Sequence, residues 1–175
     1  MSQPAGNAVI AQSGGPTVVI NSSLVGVVEA IQESGIAGSI YGARHAVKGM
    51  LDGDLCDLTD LSAEHLNLIA ATPGATLGTS RDKPDEEYCQ KIFQQLAEKD
   101  IRWFFYIGGN DSSDTCRIVS EVAARDGYDL KAFHVPKTID NDLVLNDHTP
   151  GFGSAARFVA CALLGDSLDN RALPG

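Results

Sequence analysis

The chain has 175 residues, 43% of them hydrophobic, enough for one globular core, and its 23 acidic against 13 basic residues give a net charge of −10. That balance argues against nonspecific nucleic-acid binding, and an anionic substrate therefore needs a locally positive site. No run approaches the roughly eighteen apolar residues of a membrane span, the start MSQPAG has no basic, apolar signal pattern, and Cys56, Cys89, Cys116 and Cys161 form no C-x-x-C pair, so a cytoplasmic protein with reduced thiols and no zinc or redox motif is expected.

Asn7 to Gln12 (NAVIAQ) reads as a short apolar strand, followed by the turn SGGPT and a helix over about Asn21–Ser34. In that helix Leu24, Val27, Val28 and Ile31 recur at three- and four-residue spacing, and Gly35 stops the run. Ser39–Ala43 is a second strand candidate. Pro84–Lys99 is a helix with Tyr88, Ile92, Phe93 and Leu96 on one face. Arg102–Ile107 (RWFFYI) is an aromatic buried strand that the turn GGND hands to a helix of about Ser112–Arg125. Lys131–Val135 is a further strand, and Ser154–Asp169 an amphipathic helix. Strands alternating with helices predict an α/β fold: a doubly wound, mostly parallel sheet with helices on both faces. Two longer loops remain, near 48–62 and 136–153.

In doubly wound sheets ligands sit beyond the carboxyl ends of the strands. Three loops fall at that edge: SGGPT, GGND and PKTIDND. The glycine pair Gly14–Gly15 leaves backbone N–H groups free to approach phosphate oxygens, although a plain tight turn uses the same residues. The loop is neither G-x-G-x-x-G nor G-x-x-x-x-G-K-[ST], which disfavours a Rossmann or Walker site. PKTIDND places Lys137, Thr138, Asp140 and Asp142 together, a set suited to deprotonating an alcohol beside a multiply charged phosphate. An acidic loop facing water is the plainer alternative. GTSR ends at Arg81 and Lys83 follows, and either would neutralise phosphate charge, although a surface Arg before a helix beginning near Pro84 is the ordinary reading of this piece in isolation. The four histidines show no metal-ligand spacing; His134, inside a strand, reads as a packed, hydrogen-bonded residue. Ser13, Ser112 and Ser113 lie at turns and receive no nucleophilic role.

Taken in order, SGG, GTSR, GGNDS and PKTIDND, with DHTPGFGSA after them, resemble the phosphofructokinase family over essentially the whole chain, nearest its pyrophosphate-dependent members. The resemblance implies the first lobe of a two-lobe enzyme: 1–175 as an N-terminal domain that binds the phosphoryl donor and carries the catalytic base, with the second lobe outside this chain. It implies pyrophosphate and fructose 6-phosphate as substrates, Mg2+ as cofactor, no nucleic acid or membrane partner, and a homo-oligomer at full length. It makes Gly14 and Gly15 donor contacts, Arg81 a transition-state phosphate ligand, Thr138 and Ile139 sugar-phosphate contacts, and Asp140 both a sugar-phosphate contact and the proton acceptor for the C1 hydroxyl. Asn110 falls where the family usually has a magnesium-associated Asp, and Asp111 and Asp142 then compensate for the missing charge. Asp111 also stands where ATP-using members have a glycine that leaves room for the α-phosphate, and Lys137 replaces another small residue to stabilise the departing phosphate. Two other readings stay open: an ATP-dependent 6-phosphofructokinase with unusual loops, and a non-catalytic phosphate-binding module.

Overall fold

The computed structural model describes residues 6–173. In chain order its elements are β1 (Asn7–Gln12), α1 (Ile20–Ser34), β2 (Ile40–Ala43), α2 (Val47–Asp52), β3 (Leu55–Asp57), α3 (Ala63–Ala71), α4 (Glu86–Glu98), β4 (Ile101–Gly108), α5 (Asn110–Arg125), β5 (Lys131–Pro136) and α6 (Phe152–Ala172). The five strands form one sheet in the order β3-β2-β1-β4-β5, parallel throughout except between β2 and β3.

The central strand explains the layering. A parallel strand is covered on both faces, so its sequence is apolar at consecutive positions rather than alternately. Val9 and Ala11 pack with Ile92 and Phe93 of α4 and Val119 of α5, while Ala8 and Ile10 pack with Leu24 and Val28 of α1 and Leu66 of α3. Phe104 and Tyr106 of β4 join the first of these layers and Ile107 the second. The chain leaves β1 for β2 on one side and later returns to β4 on the other. The sheet's strand order therefore reverses between β1 and β4, and the loops after these two strands diverge to open a crevice at the carboxyl edge.

Helix ends follow local chemistry. Gly35 ends α1 in the left-handed conformation at φ 61, its N–H bonded to the Ile31 carbonyl. Asp85 caps α4 through its side chain, which accepts from the Tyr88 N–H, so the helix starts at Glu86 rather than Pro84. The expected loop over 48–62 instead holds most of α2 and all of the antiparallel β3, and α3 follows it. Six residues of helix, three of strand, and a helix that buries only Leu66 leave too little periodicity to detect. The last helix also departs from expectation. It runs over Phe152–Ala172, but none of its residues is buried, and Phe158, Val159, Leu163, Leu164 and Leu168 are exposed, spread around the helix rather than gathered on one packed face.

Candidate functional site

The crevice has a volume of about 610 Å³ and is walled by four segments: 13–17 after β1, 80–83 before α4, 109–112 at the start of α5, and 137–142 after β5. All the sequence-derived candidates therefore meet in one place. Gly14, Gly15, Arg81, Asn110, Asp111, Lys137, Thr138, Ile139, Asp140 and Asp142 all line it.

The SGG turn is anchored at both ends of the crevice floor. Ser13 donates its N–H to the Ile107 carbonyl at 2.8 Å, and Gly14 donates to the Ser80 carbonyl at 3.0 Å. Gly14 has φ +74, a conformation that disfavours any side chain. The two glycines also admit cations. A Cβ on Gly14 would stand 3.4 Å from Lys137 Nζ, and one on Gly15 3.4 Å from Arg81 Nη2.

Lys137 is 4% exposed, and its ammonium donates to the Gly15 carbonyl at 2.7 Å. Burial, and after it the neighbouring Arg81, hold its pKa below the ordinary lysine value, with Asp140 opposing. Among the described residues neither Lys137 nor Arg81 has a carboxylate within ion-pairing distance. Two cations are thus held together on a glycine turn of a strongly acidic chain. That is the locally positive site an anion requires.

Asp111 lies in the first turn of α5, where the helix dipole favours an acid by about 0.3–1 kcal/mol. Its Oδ2 pairs with Lys83 Nζ at 2.9 Å, with side chains 62% and 74% exposed. Lys83 therefore faces the acid across the crevice mouth, joining the segment after Arg81 to the start of α5. Lys83, expected from sequence as a second neutraliser of phosphate charge, is thus engaged by an acid. GGND also sits differently from the expected turn, because Asn110 and Asp111 already belong to the helix.

Asn110 Nδ2 donates to Asp142 Oδ2 at 2.6 Å, tying α5 to the loop after β5. That loop is pinned from behind. Thr138 donates its N–H to the Pro150 carbonyl at 3.0 Å, its own carbonyl accepts from Thr149 Oγ1 at 2.9 Å, and Asn141 Oδ1 accepts the Thr149 N–H at 2.9 Å. Gly151 bridges to Thr138 with φ +111, and a Cβ there would meet the Thr138 carbonyl at 3.0 Å. Asp140 itself is exposed to the crevice, its N–H donating to Thr138 Oγ1 at 3.1 Å.

The oxygens of Asn110, Asp140 and Asp142 suit a hard cation by type, yet no group of three or more His, Cys, Asp or Glu side chains among the described residues is arranged to hold a metal. Asn110 keeps its carbonyl oxygen for such a role because its amide nitrogen is the group bound to Asp142.

Sequence reasoning missed the layer beneath. Ser112 Oγ donates to Ser13 Oγ at 2.8 Å, both residues being buried, and Tyr106 lies below Ser13, its phenol pushed up to about 12 mainly by burial. No motif marks such contacts, since they link residues far apart in sequence. His134 is as expected: a strand residue whose Nε2–H donates to the Gly108 carbonyl at 2.8 Å. The four cysteines are free, and burial raises the Cys89 and Cys116 thiols to about 11. Among the described residues no helix is long and apolar enough to cross a membrane.

Fold and crevice together define a doubly wound α/β unit with a crevice that holds two cations at its topological switch point. The chain belongs to the phosphofructokinase family, matching it over residues 7–169. A pyrophosphate–fructose 6-phosphate 1-phosphotransferase of Rhodospirillum rubrum is 56% identical over 170 residues, covering 97% of this chain and 42% of the relative. The crystal structure of a pyrophosphate-dependent phosphofructokinase from Nitrosospira multiformis superposes with a TM-score of 0.87 at 43% identity, over 94% of this chain and 42% of that one. A sulfofructose kinase of Alkalicoccus urumqiensis is 33% identical over 94% of this chain and 42% of its own length. The chain thus spans well under half the length of the relatives it matches.

Proposed function

We propose that these residues form the donor-binding and base-bearing lobe of an enzyme that transfers a phosphoryl group from pyrophosphate to the C1 hydroxyl of fructose 6-phosphate, giving fructose 1,6-bisphosphate and phosphate. The observation that carries this reading is the pair Arg81 and Lys137. Both lie against the SGG turn without a carboxylate partner among the described residues, in the crevice that Asp140 faces.

The chemistry needs little covalent help from the protein and consists mainly of positioning and charge stabilisation. Asp140 takes the proton of the C1 hydroxyl, the freed oxygen attacks the terminal phosphorus, and the bridging P–O bond breaks to release phosphate. The Arg81 guanidinium offers a fork of donors to the transferring group, while Lys137 stabilises the departing phosphate. The N–H groups of Gly14 and Gly15 contact the donor, and Thr138 and Ile139 contact the sugar phosphate. Asp111 occupies the space a nucleotide's α-phosphate would need, so the donor is pyrophosphate rather than ATP. Magnesium, when bound, supplies neutralisation of the pyrophosphate charge. The Asn110 carbonyl and Asp142 would hold it, most of its shell coming from phosphate oxygens and water.

The relatives support the donor and the reaction type more than the acceptor. The sulfofructose kinase shares this segment while its name gives a different sugar. Cytoplasmic location and a homo-oligomer belong to the same reading.

The test compares a protein of the relatives' full length with the 175-residue chain, by a coupled assay for fructose 1,6-bisphosphate from pyrophosphate and fructose 6-phosphate. Because part of the grip on the sugar phosphate is assigned to the second lobe, the full-length protein turns over and the 175-residue chain gives no measurable transfer, since lost remote contacts cost orientation as well as affinity. Robust turnover by the short chain would contradict the division of labour. A silent full-length protein would contradict the function itself.

A further inference from the structure

Two buried amides lie beneath the crevice that the proposed chemistry does not use. Gln12, at the end of β1, is 0% exposed, and Asn21, in the first turn of α1, is 1% exposed. Gln12 bonds to the backbone of Ile20 and Leu77, both members of a buried apolar cluster that also holds Ile10 and Leu24. Burying an amide costs free energy unless its hydrogen bonds are made, so an apolar pair would have been the simpler filling.

Three of their five bonds fix one loop, and the other two tie the pair to each other and to the start of α1. Gln12 Nε2 donates to the Ile20 carbonyl at 3.1 Å and to Asn21 Oδ1 at 2.9 Å, while Gln12 Oε1 accepts the Leu77 N–H at 3.0 Å. Asn21 Oδ1 also accepts the Thr76 N–H at 3.0 Å, and its Nδ2 donates to the Thr72 carbonyl at 2.9 Å. Gln12 thus uses both amide hydrogens and its oxygen, and Asn21 uses both oxygen lone pairs, so neither side chain is free to flip. The segment they hold, 72–77, runs through Gly78 to Ser80, whose carbonyl receives the Gly14 N–H, and then to Arg81. Gln12 is at the same time the residue before Ser13, the root of the SGG turn.

We propose that Gln12 and Asn21 are positioning residues that set the distance between the SGG turn and the Arg81 guanidinium. Their bonds join the end of β1, the start of α1 and the Arg81 segment into one unit, which is how the guanidinium comes to lie against Gly15. Fully satisfied buried networks of this kind rigidify a single arrangement, and small displacements of a charge from a transferring group are costly in rate. This assignment rests on the proposed role of Arg81 as a ligand of the transferring phosphoryl group.

The test is a double-mutant cycle in the full-length enzyme, measured with whichever phosphoryl donor the wild type uses. Gln12→Met keeps the volume and removes all three bonds. It lowers kcat at least tenfold while the donor KM changes less than threefold, and the same substitution made on Arg81→Ala costs less than twofold more. A residue that only supports the fold would lower activity by the same factor in both backgrounds, in step with the melting temperature. Equal losses with and without Arg81, or a Gln12→Met kcat within twofold of wild type, would overturn the proposal. Should Gln12→Met fail to fold, Asn21→Ser is read through the same cycle and by the same two outcomes. Use of ATP in place of pyrophosphate by the wild type would refute the donor reading and leave this cycle decisive with ATP.

Discussion

Asp140→Ala lowers kcat of the full-length enzyme by at least about 100-fold, the usual size of a positioned general base, with a smaller effect on the KM for pyrophosphate. The expectation follows from where the carboxylate stands. It projects into the crevice from a loop held at Thr138 by three hydrogen bonds, to the Pro150 carbonyl, from the Thr149 hydroxyl and from the Asp140 N–H. It lies on the same loop as Lys137, so base and cation keep a fixed relation. Asp140 is exposed and makes no ion pair among the described residues, so its loss leaves the fold's stability near that of wild type. Steady-state rates at saturating fructose 6-phosphate, with a melting curve as control, decide the point. Turnover within a few-fold of wild type would remove the assignment.

Asp111→Gly changes the donor. Like charges about 4 Å apart repel by roughly 1 to 4 kcal/mol between bulk-water and near-surface dielectric values, and a side chain in the α-phosphate's place adds a clash. Removing both raises kcat/KM for ATP by at least about tenfold, equivalent to about 1.4 kcal/mol. What the substitution gives up in the fold is small. The exposed pair with Lys83 is worth about 0–1 kcal/mol, and the helix-end charge a similar amount. Pyrophosphate turnover falls in the same variant, and further in Asp111→Gly/Lys137→Gly, because the leaving phosphate loses the ammonium held beside Gly15. A donor ratio unchanged by Asp111→Gly would make Asp111 a helix-end residue and nothing more.

What the sequence discloses depends on how locally the determining interactions act. NAVIAQ is legible as a strand because each of its residues but the first is buried, and α1 because its apolar spacing ends on a glycine that can adopt φ 61. The crevice residues after β1, β4 and β5 are legible because topology alone brings together the ends of parallel strands, whereas Arg81 follows no strand and is brought in by the bond from Gly14 to Ser80. The antiparallel β3 is not legible, since three residues carry no period of their own and depend on pairing with β2. The helix α6 is legible, but its exposure is not: composition shows apolar residues but not whether anything covers them. Within the site, the candidate residues are visible as types, whereas their partners are not. Lys83 meeting Asp111, Asn110 meeting Asp142, and Gln12 reaching Leu77 span from 28 to 65 residues of sequence, and no spacing rule reports contacts at that range. For the same reason Gln12 and Asn21 read from sequence as ordinary polar positions beside a turn.

In the proposed function the cations at the SGG turn and the acid of GGND make a pocket for pyrophosphate and against nucleotide. The most direct test is a coupled assay of the full-length wild type with pyrophosphate and with ATP, at fixed magnesium and saturating fructose 6-phosphate. The expected kcat/KM for pyrophosphate is at least about tenfold above that for ATP, corresponding to about 1.4 kcal/mol of donor discrimination. An enzyme that uses ATP as well as pyrophosphate, or better, would contradict it.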